Sequence, residues 1–361
     1  MAKGGSLPKT VGPYAVVRAL GKGGMGEVLL ARHELLDRLV AIKRLAPRED
    51  TKLEEMEERF LREGRALATL HHQNIVGVHD LFVRRGTHYM VLEYVDGENV
   101  AQLLKKGVLP VDVAAIVATK IADALECAHR RGIVHRDIKG ANVMVSHSGD
   151  VKLMDFGIAR DEALEQVTST GVVVGTPMYV APEVIKGGDA DPRSDIYALG
   201  ALLYHALSGR RLFEHANSDN LYALIASGRF PKLSRVAPHV PWRLRRIVDR
   251  CLSKKPDKRF ESAGELRAAL ELFLASTNVW SNHEERLVGF LKARGHLTEE
   301  EASVWLSAES LVISATFEAP ARSVYRRLAY AAVVAAAGGA AWWAGARGGW
   351  FDGLLSWLQG N

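Results

Sequence analysis

An α+β fold of two lobes, a strand-rich front and a helical back with a cleft between them, is the architecture this sequence predicts. Three observations predict it. Apolar strand-like runs crowd residues 14–95, a glycine cluster running straight into another strand lies near their start, and long helical-period segments fill residues 96–276. Beyond the lobes come a short helical pair, an uncharged apolar run and a tryptophan-rich tail.

Residues 1–13 form an arm before the first strand. Tyr14 to Leu20 runs into the glycines, Glu27 to Arg32 reads as the second strand and Arg38 to Leu45 as the third. A charged helix follows over Thr51 to Leu70, with Met56, Phe60, Leu67 and Leu70 on its apolar side. Two further strands read at Ile75–Val83 and His88–Tyr94. The helical pattern then takes over at Val113–Arg131, Pro192–Ser208, Pro241–Leu252 and Ala263–Ala275. Within 277–327, His283–Ser310 reads as a helical hairpin. Thr298-Glu-Glu-Glu301 supplies a capping box, and Leu287, Phe290, Leu291, Leu297, Ala302, Trp305 and Leu306 an apolar face. A spacer is the expected role of this hairpin, with packing onto the lobes or a partner left open.

Composition narrows the classes. The 361 residues are 48% hydrophobic and 25% charged, which suits a globular chain with a sizeable core. A net charge of +5 argues weakly for an anionic ligand or membrane surface and gives no ground for a nucleic-acid partner. Cys127 and Cys251 are the only cysteines, so no disulfide framework is expected and a reducing compartment fits. Residues 1–13 carry no apolar export signal.

Gly21-Lys22-Gly23-Gly24-Met25-Gly26 fits G-x-G-x-x-G, a pattern equally at home in a plain hairpin turn. A dinucleotide-binding loop should open a helix, whereas Glu27 onward reads as a strand. A glycine hairpin of this kind can fold over a nucleotide, its backbone N–H groups meeting phosphate oxygens. Lys43 ends Val40-Ala-Ile-Lys43 in an apolar strand and needs an anionic partner there. Glu63 on the following helix is one candidate and a nucleotide phosphate another.

The back half carries the decisive cluster. His135-Arg-Asp-Ile-Lys-Gly-Ala-Asn142 is followed by Asp155-Phe-Gly157 and then Gly175-Thr-Pro-Met-Tyr-Val-Ala-Pro-Glu183. Asp137, Asn142 and Asp155 offer hard oxygen ligands for magnesium and one carboxylate to accept a hydroxyl proton. Any one of these is an ordinary polar residue; their joint order and spacing is not.

Residues 14 to about 276 resemble a complete eukaryotic-type (Hanks-type) protein kinase domain, close to the bacterial serine/threonine kinases. The resemblance implies a two-lobed protein kinase fold; the C-terminal hairpin and a single transmembrane helix are read separately, from the residues that follow it. It implies ATP as cofactor with magnesium, or manganese as the alternative ion, and protein substrates. Leu20, Gly21, Lys22, Gly23, Gly24, Met25 and Gly26 would cover the phosphates, and Lys43 would hold them while pairing with Glu63. Val28, Ala41, Leu92 and Met144 would sandwich the adenine, with Glu93 and Val95 offering backbone hydrogen bonds. Asp137 would position the substrate hydroxyl and accept its proton, Lys139 would steady the γ-phosphate, and Asn142 and Asp155 would hold the metal. Leu67, Val78, His135 and Phe156 fit an apolar column joining the lobes. Glu183 with Arg259 fits a buried ion pair, and Asp195 an anchor for the catalytic loop.

Lys139, two residues after Asp137, and Thr176 resemble the serine/threonine rather than the tyrosine class. Gly140 stands where proline is commoner, and Tyr197 where tryptophan is frequent; neither touches chemistry. Thr168 and Thr170 lie between Asp155 and Glu183, and Arg136 directly precedes Asp137, as in kinases whose loop phosphate docks on that arginine. An autophosphorylated switch is expected there.

Leu328–Ala346 is 19 residues without a charge, about the length that spans a bilayer core. Arg322, Arg326 and Arg327 precede it and only Arg347 follows, which predicts a single-pass membrane protein with a cytoplasmic kinase. A buried alanine-rich helix in a soluble cytoplasmic protein is the competing reading. Ala337, Ala341 and Gly345, spaced by four, would let two such helices approach and self-associate. Residues 347–361 form a short tail. A pseudokinase scaffold would need a broken catalytic position, and a small-molecule phosphotransferase would not need the intact Gly175–Glu183 segment.

Overall fold

Alternating apolar and polar residues fold the front of the chain into one antiparallel sheet. The computed structural model describes residues 8–23, 26–45, 53–156, 177–213, 218–277 and 282–306. Every described residue lies in one compact unit, Met1–Ser310. Strands β1 (Thr10–Val11), β2 (Tyr14–Gly23), β3 (Gly26–His33), β4 (Arg38–Leu45), β5 (Val78–Arg84) and β6 (Thr87–Glu93) lie in the order β1-β2-β3-β4-β6-β5. Leu29, Ala31, Val40, Ile42 and Val91 form the core of one face. Helix α1 (Leu53–Ala68) packs on β4, β5 and β6, with Met56, Phe60 and Leu67 buried. Ile75 stands outside β5 and bridges to Leu153 instead.

The back begins with β7 (Gly97–Asn99) and α2 (Val100–Lys105), and β7 joins β8 (Val143–Ser146) and β9 (Val151–Leu153) in a second, three-stranded sheet. The helices are α3 (Val111–His129), α4 (Pro182–Ile185), α5 (Pro192–Ser208), α6 (Ser218–Ser227), α7 (Leu233–Val236), α8 (Trp242–Cys251) and α9 (Ala263–Ala275). Helix α5 is the axis of this lobe, contacting α3, α8 and α9. Asp191 caps it in a reciprocal box with Ser194, Pro192 opens it, and Gly209 at φ 70° ends it.

The crossing of α5 and α8 is tight enough that a Cβ on Gly200 would collide with the Cβ of Cys251. Both atoms ride on helix backbone. A Gly200→Ala chain is therefore expected to lose about 1–2 kcal/mol net of alanine's better helix propensity, visible as a lower melting temperature. Melting with the parent would mean that the helices part freely.

The C-terminal hairpin is more than a spacer. Helix α10 (His283–Ala293) and the short α11 (Glu299–Ser303) pack onto the helical lobe, with Leu287, Val288, Phe290, Leu291, Leu297, Ala302 and Leu306 buried. Glu284 pairs with Lys120 at 2.7 Å, Arg286 grips Asp112, and Arg294 donates to the carbonyl of Val108 at 2.6 Å. The capping box forms, Thr298 N donating to Glu301 Oε2 at 2.8 Å. Trp305 departs from the expected apolar face: it lies beyond the end of α11 and stays 49% exposed, while Leu306 after it is buried. Among the described residues no helix is long and apolar enough to cross a membrane; Leu328–Ala346 lies outside them.

Candidate active site

The cleft is built from two converging pieces, a lysine on the front sheet and a turn-rich loop beneath it. Register sets the roof: Val28 pairs with Lys43 and Ala41 with Leu92, so β3, β4 and β6 carry these side chains at matching depth. Gly21, Lys22 and Gly23 pair with Val28, Glu27 and Gly26 in a hairpin, and β3 follows where a dinucleotide fold would open a helix. Gly26 sits at φ 153°, and a side chain on Gly21 would meet open space. Gly24 and Met25 lie outside the described residues.

Lys43 Nζ donates to Glu63 Oε1 at 2.8 Å and to Asp155 Oδ1 at 3.2 Å. Burial opposes its charge, but the carboxylates of Asp155 and Glu63 outweigh that and hold the ammonium above the ordinary lysine range. Burial pushes the Glu63 carboxyl upward while Lys43 pulls it back. The lysine decides the pair, since an ammonium between two carboxylates stays charged at neutral pH.

Below, Asp137 Oδ2 accepts from Lys139 Nζ at 2.6 Å and from Asn142 Nδ2 at 3.1 Å. Asn142 Nδ2 also donates to the Asp137 carbonyl at 2.8 Å. The amide nitrogen is thus committed to Asp137, and Oδ1 is the atom of Asn142 left to ligate a cation. With the Asp155 carboxylate this makes two hard oxygen donors, which suits magnesium, an ion bound through one or two such groups plus substrate phosphates.

Two backbone positions in this loop are strained. Arg136 and Asp155 lie at φ 65° and 54°, a region few side-chain-bearing residues adopt. Asp195, buried on α5, holds the first of them: its carboxylate accepts from His135 N at 2.7 Å and Arg136 N at 2.8 Å, and contacts His129 Nε2 at 2.9 Å. His135 is fully buried and packs on Phe156, with ring centroids 4.4 Å apart and the planes tilted by 43°. Its Nδ1 accepts from Asp137 N at 3.2 Å, so Nε2 carries the proton shared with the Met154 carbonyl. Burial lowers its pKa and keeps the ring neutral. Leu67 is buried in the same region, and Val78 is half-buried at the start of β5.

At the connection between the lobes, Leu92 is buried and Met144 of β8 half-buried. The amide of Glu93 is taken by the Gly77 carbonyl at 2.8 Å, so Glu93 offers only its carbonyl to a ligand. No backbone bond is made by the amide of Val95 among the described residues. The Glu93 side chain accepts from Gly77 N at 3.1 Å and pairs with Lys152 at 2.7 Å, tying the connection to β9. Sequence reasoning missed Lys152 because a three-residue strand shows no period. On the far side of the cleft Arg259 grips Glu183 with two bonds of 2.6 and 2.7 Å. Gly157, Thr168, Thr170, Gly175 and Thr176 lie outside the described residues.

Comparison with known proteins agrees with this geometry. Residues 14–269 match the family model described as "Protein kinase domain". The serine/threonine-protein kinase Pkn1 of Myxococcus xanthus is 38% identical over 275 residues, covering 73% of this chain and 38% of Pkn1. The tyrosine-protein kinase MasK of the same species is 36% identical over 310 residues, covering 81% of this chain and 47% of MasK. A stretch that long cannot end before α10, wherever it begins, so the similarity to MasK extends into the hairpin. The crystal structure of the Mycobacterium tuberculosis PknI kinase domain, in a cysteine-to-alanine variant, superposes with a TM-score of 0.58 at 33% identity, covering 74% of this chain and 98% of that one. The chain spans about two fifths of the length of curated relatives such as Pkn1.

Proposed function

The chain belongs to the protein kinase family, among the bacterial Hanks-type serine/threonine kinases, and from that premise we propose that it transfers the γ-phosphoryl group of ATP to serine and threonine hydroxyls of proteins. One observation carries the reading. Lys43 is held between Glu63 and Asp155 while Asp137 is gripped by Lys139 and Asn142, so both halves of a phosphoryl-transfer site stand assembled. A pseudokinase would lack one of these groups.

Asp137 takes the proton of the attacking hydroxyl as its oxygen bonds to the γ-phosphorus and the bond to the bridging oxygen of ADP breaks. Lys139 and Lys43 neutralise oxygens of the transferring and remaining phosphates. Asn142 and Asp155 would hold magnesium, which when bound neutralises charge on the phosphate oxygens. Val28, Ala41, Leu92 and Met144 would clasp the adenine, and the Glu93 carbonyl and the Val95 amide, which makes no backbone bond among the described residues, would meet its edge. The test is incubation of the chain with radiolabelled ATP, magnesium and a protein acceptor, followed by phosphoamino-acid analysis. Label on serine and threonine is expected. Label on tyrosine alone would move the chain to the activity that MasK is named for.

Autophosphorylation of Thr168 and Thr170 follows from the same chemistry acting on the chain's own loop, with Arg136 beside the catalytic aspartate as a docking cation. A Thr168→Ala/Thr170→Ala chain, preincubated with ATP, is expected to lack the activating lag and the final rate of the parent. Full rate without a lag would rule out the switch.

Tethering to the inner face of a membrane by Leu328–Ala346 rests on the uncharged run and the arginines before it. A surface would raise the effective concentration of the kinase toward membrane proteins and toward second copies of itself. The full chain is expected in the membrane fraction after a carbonate wash, and a chain ending at Arg327 in the soluble one. Finding both soluble would leave a packed helix as the better account.

A further inference from the structure

The basic excess of this chain is concentrated in one stretch. Arg210 to Arg250 holds nine lysines and arginines against three acidic residues, an excess of six where the whole chain has five. Within it lies a concavity of about 570 Å³ lined by Arg210, Arg229, Phe230, Pro231, Arg235 and Val236, where the ends of α5 and α6 meet α7. All three arginines are exposed, and none forms an ion pair among the described residues. Like charges gathered around a hollow repel one another, so the arrangement favours an anion between them.

The hollow has a fixed frame. Phe230 lies edge-on to Tyr204 and Phe213, with centroids 6.1 and 6.3 Å apart, and Tyr204 Oη donates to the Pro231 carbonyl at 2.9 Å. The amides of Arg210 and Arg229 each donate to a serine hydroxyl, Ser208 and Ser227, at 3.1 Å. The backbone that carries two of the arginines is therefore held before any ligand arrives.

We propose that this hollow docks a phosphoserine- or phosphothreonine-bearing segment of a protein. Three guanidinium forks match the three terminal oxygens of a phosphate monoester, while a carboxylate has only two oxygens to share. The apolar floor of Phe230 and Pro231 suits the flanking peptide. A bilayer, by contrast, is met by convex or flat surfaces. The neighbouring exposed tryptophan, Trp242, already has the guanidiniums of Arg243 and Arg246 over its ring at 5.6 and 5.8 Å. The choice of occupant rests on the protein-kinase reading above, since such segments are its product; the binding itself requires no turnover.

Fluorescence polarisation tests it, using the full chain in neutral detergent and a labelled acidic peptide with one phosphothreonine beside its unphosphorylated twin. Selective, salt-sensitive binding of the phosphopeptide is expected, weakened at least about tenfold in Arg229→Ala/Arg235→Ala and in a separate Arg210→Glu chain. All three arginines are exposed, so both variants should melt with the parent and keep the basal transfer rate. Equal binding of both peptides, or undiminished binding by both variants, would overturn the proposal. So would arginine-dependent capture on phosphatidylserine vesicles over phosphatidylcholine vesicles without phosphopeptide binding. Loss of phosphoryl transfer in the parent, with phosphopeptide binding retained, would count against the kinase reading alone.

Discussion

Asp137→Asn and Asp155→Asn chains are expected to fold as the parent does and to transfer phosphate about two to four orders of magnitude more slowly. Catalysis in such a site is positioning plus charge neutralisation, so each carboxylate supplies something an amide of the same shape cannot. Asparagine at 137 keeps an oxygen for Lys139, which now donates to Oδ2 at 2.6 Å, yet it has no capacity to take the hydroxyl proton. Asparagine at 155 keeps a polar group near Lys43, now 3.2 Å away, but brings no negative charge to a metal ion. The Asp155 change also removes the first of the two carboxylates that hold Lys43 above its ordinary range, while Glu63 remains. Single-turnover transfer from radiolabelled ATP, with a thermal melt on the same samples, checks both statements. A rate near that of the parent in either chain would remove that aspartate from the mechanism.

Much of this site was legible because its chemistry is local in sequence. Lys43 ends an alternating strand, and Asp137, Lys139 and Asn142 fall within six residues, so pattern and spacing carried them. Helices α5 and α9 were readable to the residue because each begins at a capping signal, Asp191 before Pro192 and Ser262 before Ala263. The remainder was closed to sequence for identifiable reasons. Strands β7, β8 and β9 have three or four residues each, too few to show a period, which hid Lys152 and the second sheet. The left-handed backbone at Arg136 and Asp155 is imposed from outside by Asp195 and the surrounding packing, and no residue type announces it. The docking of α10 depends on Lys120 and Asp112, more than 160 residues away, so the hairpin read as a spacer until its partners were visible.

Replacing Arg259 by methionine is expected to cost about 3–5 kcal/mol and to lower the melting temperature by on the order of 10 °C. The guanidinium is fully buried, and besides Glu183 it donates to the carbonyls of Ser253 at 2.9 Å and Arg193 at 2.9 Å and lies 4.9 Å over the Tyr197 ring. Methionine fills much of the volume but takes the guanidinium's bonds from those carbonyls and from a largely buried carboxylate, which keeps only neutral donors such as Ser194 Oγ at 3.1 Å. The sign of the pH dependence separates this mechanism from simple loss of packing. In the parent, burial would raise the Glu183 carboxyl, but the two bonds and the charge of Arg259 outweigh it and hold it below its ordinary 4.5. The pair's contribution is therefore fully present above pH 4.5 and is lost as pH falls through the lowered folded value. Without Arg259, burial, the largest influence on this carboxyl, is opposed only by neutral hydrogen-bond donors such as Ser194 Oγ, so the variant is penalised where Glu183 is charged and relieved as it protonates. The deficit between parent and Arg259→Met should accordingly narrow on acidification and stay constant from neutral pH upward, since Glu183 is charged throughout that range in the parent. A Glu183→Gln/Arg259→Met chain, with no buried charge, should recover part of the loss at pH 7 and show no narrowing. Melting curves of the three chains from pH 4 to 9 decide it, and a deficit independent of pH would assign the role of Arg259 to packing.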